Sequence, residues 1–146
     1  MDAQKKKSRK RSVTSSSQPK RLLTLFLDEN TSSRLVIDAL LALGFRVELH
    51  KNHFDPGTED AVWLDAVAKK KWIAVTRDQR IRYRPNEIAA VRASGARMVF
   101  ITGGNLGSID LATLLTNHAM KLAKFTERHN GPFMATLTRS GNLTKI

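Results

Sequence analysis

The chain has 146 residues, 41% of them hydrophobic, which suffices for one packed core and leaves little for a second. Lys and Arg outnumber Asp and Glu by 25 to 13, a balance that favours a polyanionic partner such as nucleic acid over an acidic small molecule. Cysteine is absent, which excludes disulfides and thiolate metal sites, so any metal must be held by oxygen or imidazole.

The charge is unevenly spread. Residues 1–21 hold eight basic side chains against Asp2, leaving 17 basic and 12 acidic residues for the remainder. This segment, with Lys5-Lys6-Lys7, Arg9-Lys10-Arg11 and Ser15-Ser16-Ser17, has almost nothing to bury. It is expected to be a disordered basic tail, adding at most unspecific phosphate affinity. The chain shows no signal-peptide core and no apolar run near the roughly 18 residues that span a bilayer. No membrane association and a cytoplasmic location are therefore expected.

From Leu22 the pattern turns to short apolar runs alternating with amphipathic segments, the signature of βα units and a parallel sheet. Leu22 to Leu27 reads as a buried strand. Ser32 or Ser33 can cap a helix to Leu43, with Leu35, Val36, Ala39, Leu40 and Leu43 inward, and Gly44 stops it. Phe45 to Leu49 is the second strand, followed by a polar loop with the turn sequence Asp55-Pro56-Gly57.

Thr58 or Asp60 can cap a second helix to about Lys70, with Val62, Trp63, Ala66 and Val67 inward, and Trp72 to Val75 is the third strand. Beyond an arginine-rich loop, Pro85 opens a helix that ends at Gly95, and Ala96 to Ile101 is the fourth strand. Gly103-Gly104-Asn105 turns the chain. Ser108 caps the longest helix, which carries Leu111, Leu114, Leu115, Ala119 and Leu122 inward and ends near Thr126. Phe133 to Thr138 and Leu143 to Ile146 flank Ser140-Gly141-Asn142, which suggests a C-terminal hairpin or an added edge strand.

In an open parallel sheet the residues just beyond the carboxyl ends of the strands share a crevice where ligands bind. The first strand is followed by Asp28-Glu29-Asn30, the second by a loop leading to Glu59-Asp60, and the third by Thr76-Arg77-Asp78. Acids from three separate segments thus aim at the same edge. Taken singly, each has a local explanation: Asp28 starts a turn, Asp60 caps a helix, and Asp78 orders the arginine loop. Together they form a repelling cluster that cations must neutralise, and hard oxygen ligands suit magnesium or manganese. His50 and His53 share a loop but have no further nitrogen or sulfur ligand at zinc spacing.

The runs Leu25-Phe26-Leu27-Asp28-Glu29-Asn30, Leu40-Leu41-Ala42-Leu43-Gly44-Phe45, Glu59-Asp60 with Trp63-Leu64, and Ile73-Ala74-Val75-Thr76-Arg77-Asp78 resemble, in order and spacing, PIN-like domains of the VapC toxin kind. Ile81-Arg82, Pro85-Asn86-Glu87 and Arg97-Met98-Val99-Phe100 are similar to one PIN-like subgroup. The resemblance covers Leu22 to Ile101, more loosely the remainder, and not the basic tail.

It implies a single three-layer α/β/α domain over residues 22–146 with a mainly parallel central sheet. It further implies an endoribonuclease dependent on Mg2+ or Mn2+, commonly the toxin of a toxin–antitoxin pair. Asp28, Asp60 and Asp78 match the acids that would be catalytic and hold the metal. Gln79 and Arg80 stand where many such domains place another acid, and Glu29, Glu59 or Glu87 are candidates to replace it.

A metal so held can lower the pKa of a bound water and place it in line with a backbone phosphorus. Asn30 and Thr76 are candidates to orient the acids. Arg77, Arg80, Arg82 and Arg84 are expected to contact RNA phosphates, with Tyr83 offering a face for base stacking. The expected partners are RNA and an antitoxin protein, with a homodimer as a candidate assembly. Two rival readings are a receiver-like phosphoacceptor domain, with Thr102 after the fourth strand but no clear fifth core strand ending in Lys, and a catalytically inactive RNA-binding module.

Overall fold

Strands covered by helices on both faces must be apolar at nearly every position, and four runs in this chain become such strands. The computed structural model describes residues 23–104 and 106–146; the basic tail, Leu22 at the expected start of the first strand and Asn105 of the glycine turn lie outside them. The strands are β1 (Thr24–Leu27), β2 (Arg46–Leu49), β3 (Ile73–Thr76), β4 (Arg97–Ile101), β5 (Phe133–Leu137) and β6 (Leu143–Lys145). The helices are α1 (Arg34–Ala42), α2 (Asp60–Lys69), α3 (Pro85–Ser94), α4 (Ser108–Asn117) and α5 (Ala119–Arg128).

The six strands form one sheet in the order β2-β1-β3-β4-β5-β6. All neighbours run parallel except the last pair, in which β6 returns antiparallel along β5 with Leu143 opposite Leu137. Alternate residues feed two cores. Leu25, Leu27, Ile73, Val75, Val99 and Ala135 face Val36 and Leu40 of α1 together with leucines of α4 and α5. Phe26, Ala74, Met98 and Phe100 face Trp63, Leu64 and Val67 of α2 and Val91 of α3. The expected three-layer α/β/α architecture with a mainly parallel sheet is the one observed. Among the described residues no helix is long and apolar enough to cross a membrane.

Several local expectations are corrected. On α1 the buried stripe centres on Val36 and Leu40 one turn apart, while Leu35 lies about 100° round the helix and Leu43 is the cap residue beyond it. Both are exposed. On α2 the stripe is Trp63, Leu64 and Val67, which leaves Val62 exposed. The N-cap of α2 is Glu59, with no side-chain capping bond, and that of α4 is Gly107 instead of Ser108.

The long final helix is two helices, broken at His118, whose φ of −117° and ψ of 15° leave the helical region. The imidazole there lies against Gly141, where a Cβ would come within 2.2 Å of the ring. The hairpin expectation holds for β5 and β6, but β5 is also a fifth parallel core strand beside β4. It leads into Thr138-Arg139 and not into a lysine.

Register positions the functional edge. Leu27 is level with Val75, so Asp28 and Thr76 leave the sheet side by side.

Candidate active site

Beyond the ends of β1 and β3 lies a crevice of about 220 Å³ lined by Asp28, Asp60 and Asp78 together with Glu29, Asn30, His50, Thr58 and Thr76. Each acid arrives by a different route. Asp28 follows β1 and caps a 3-10 turn over Glu29–Thr31, its Oδ1 accepting the Asn30 N–H at 3.1 Å and the Thr31 hydroxyl at 2.9 Å. Asp60 is the first residue of α2, so its carboxylate leaves the helix start toward the sheet edge. It does not serve the backbone. Instead, Oδ1 accepts the Trp63 indole N–H at 2.9 Å, a contact made by neighbours three residues apart on a helix.

Asp78 follows β3, where Thr76 connects it to Asp28. The Thr76 hydroxyl donates to Asp28 Oδ2 and accepts the Asp78 N–H at 3.0 Å. The Asp78 carboxylate is engaged on both oxygens by Arg80. Nε donates to Oδ1 at 2.9 Å and Nη2 to Oδ2 at 2.6 Å, while the Arg80 amide also donates to Oδ1. These bonds hold the Asp78 carboxyl below the usual carboxylate range, against a smaller upward push from burial. The Arg80 guanidinium is in turn pushed up, first by Asp78 and also by the charges of Glu87 and Asp60.

The aromatic wall under the crevice explains why the acids sit at a shaped edge and not on open surface. Phe26 stacks on Trp63 with ring centres 5.6 Å apart, and His50 meets the Trp63 ring edge-on at 5.9 Å. The tryptophan is thus both a core residue and the partner of Asp60. The buried Thr31 and the lining residues His50 and Thr58 carry no motif in the sequence; only the Asp-x-x-Thr spacing of Asp28 and Thr31 hints at the turn.

Other expected site residues fall outside the crevice. Glu59 is exposed at the start of α2. Glu87, in the first turn of α3, approaches Arg84 at 3.5 Å through Oε1, and its Oε2 is buried without a hydrogen-bond partner. Of the arginines, Arg77 donates to the Gly104 carbonyl at 3.2 Å. Arg82 donates to Gln79 Oε1 at 2.9 Å and lies over the Tyr83 ring. Arg80, Tyr83 and Arg84 are exposed.

The lining offers only carboxylate, hydroxyl and amide oxygens besides one imidazole, a donor set whose chemistry suits a hard divalent cation. In the arrangement described, each acid is turned to a neighbour. Among the described residues no three acidic or histidine side chains converge closely enough to hold an ion.

Comparison with known proteins adds a family. The model described as a PIN like domain matches residues 23–103, more than half of the 146. Neither the curated proteins nor the solved structures gave a match to the chain. The matched span contains β1 to β4 and every acid of the crevice. The chain therefore belongs to the PIN-like domain family, which has a nuclease-type fold.

Proposed function

We propose that the protein is an endoribonuclease dependent on Mg2+ or Mn2+ that hydrolyses RNA phosphodiester bonds in the cytoplasm as the toxin of a toxin–antitoxin pair. The observation that carries this reading is that acids from three separate elements, Asp28, Asp60 and Asp78, line one crevice at the carboxyl edge of the sheet. Hard oxygen donors brought to one crevice from three elements are the kind of lining that a divalent cation takes.

In this reading Asp28, Asp60 and Asp78 hold the ion. When bound, it supplies Lewis acidity toward water and phosphoryl oxygens. The protein's own side chains fix the spacing. Thr76 ties Asp28 to the backbone of Asp78, and Trp63 aims Asp60. Arg82, Arg84 and the exposed Tyr83 follow on the adjoining loop, where phosphates and an unstacked base of single-stranded RNA can be met. An antitoxin segment covering these arginines would compete with RNA for the same surface.

The receiver-like alternative draws on one observation, since five parallel strands in the order 2-1-3-4-5 also occur in doubly wound phosphoacceptor domains. Against it stand the family match and the absence of a lysine directly after β5.

The deciding experiment incubates the purified full chain with total RNA and Mn2+. Cleavage should appear with Mn2+, stop with EDTA, and fall roughly a thousandfold in Asp28→Asn. Cleavage that survives both chelation and the substitution rules the reading out.

A further inference from the structure

Arg80 follows Asp78 by two residues, and its guanidinium, though largely open to solvent, is held on the Asp78 carboxylate at the crevice rim. Two of its nitrogens engage both oxygens of Asp78, at 2.9 and 2.6 Å. An ion held by Asp78 must use one of those same oxygens. The guanidinium and the ion therefore compete for a single carboxylate, and by linkage each weakens the other's hold.

The exchange is open to the arginine. Its side chain is 69% exposed, so release moves it into water without opening the core. It lies in the same loop as Arg82 and Arg84, so a released guanidinium stays at the crevice mouth, where a phosphate would arrive.

We propose that Arg80 is a tethered counter-ion, which neutralises the acid crevice while no metal is bound and is displaced from Asp78 by the divalent ion to meet the RNA backbone. This rests on the metal-dependent reading above and adds to it a cation built into the chain two residues from one of the proposed metal-holding acids. Arg80 is thus a positioning residue for the metal and a contact for the substrate, in succession.

Two measurements on the full-length protein, its Arg80→Gln variant and Arg80→Lys test this without relying on cleavage: calorimetric titration with Mn2+, and the thermal midpoint with and without Mn2+. Arg80→Gln should bind Mn2+ at least about fivefold tighter than the unaltered chain. Its midpoint without metal should fall, and the rise on adding Mn2+ should grow. Arg80→Lys, which cannot engage both oxygens in the planar fork, should lie between the two.

A purely structural arginine would lower the midpoint and leave Mn2+ affinity unchanged or weaker, and that result overturns the proposal. If the unaltered chain binds Mn2+ but Arg80→Gln binds it no better, the counter-ion role fails while the metal reading stands. If neither binds Mn2+, both fall together.

Discussion

The strand ends of the sheet divide into two unlike regions. β1 and β3 open into Asp28-Glu29-Asn30 and Thr76-Arg77-Asp78, where Asp28, Thr76 and Asp78 are each bonded to another side chain and the Asp28–Thr76 bond joins the two strand ends. β4 and β5 open into Thr102-Gly103-Gly104 and Thr138-Arg139, where no acid appears. Residues 106–146 instead supply α4, α5 and the hairpin, whose leucines and Phe125 fill one of the two cores. One region carries charge paired at the crevice, and the other carries burial that the proposed chemistry does not touch. The difference teaches that stability and function are separable along this chain, and substitutions in the two regions should fail in different ways.

The sharpest contrast is Leu115→Ala on α4. Leu115 is 2% exposed, so its truncation should cost about 2–5 kcal/mol in urea unfolding. Cleavage per folded molecule should stay as it was. A loss of turnover at full folding would break the separation.

Next comes Thr76→Val, which keeps the shape of the side chain and removes the hydroxyl between Asp28 and Asp78. Its stability cost should be modest, but Mn2+ affinity or turnover should drop about 10- to 100-fold, as when a group that orients a metal ligand is lost. Equal turnover in the variant would show that the threonine only ends the strand.

The smallest effect concerns pH. Because the folded Asp78 carboxyl sits below its ordinary range, its stabilisation is fully present above the unfolded value near about pH 4 and is lost as pH falls through the lowered folded value. Asp78→Asn should therefore flatten part of the acid limb of the thermal midpoint. An unchanged acid limb would mean that the Arg80 pair contributes nothing to the folded state.

Much of the fold was legible because strand and acid positions are local patterns. Leu25 to Asp28 and Ile73 to Asp78 show both the buried run and the acid that ends it, and Pro85 and Gly95 bracket α3 as the two residues at its ends dictate. Failures came where distant contacts decide. Leu35 and Val62 are apolar and close to the right period, yet only the packed partners say which side of the stripe is covered. Nothing near Phe133 tells that β5 pairs parallel with β4 before β6 returns along it.

At the site, the identity and order of the acids could be read from the sequence, and so could the tie of Asp78 to the arginine loop, but the partner of Asp60 could not. The helix cap expected at Asp60 gives way to the Trp63 indole three residues on, a choice between two local partners that spacing alone leaves open. Thr31 was only half legible, since its bond to Asp28 is local while its reach to the Val75 carbonyl exists only once β1 and β3 lie side by side.

The glycine at the hairpin tip has a wider reach than its size suggests. Gly141 sits at φ +92° with the His118 ring against it, and its carbonyl accepts Lys121 Nζ at 2.7 Å. The tip of the hairpin is thereby latched to the joint between α4 and α5. Fraying of the final strand would loosen that joint, and a shift of the joint would unseat the strand, so the two open and close as one cooperative unit.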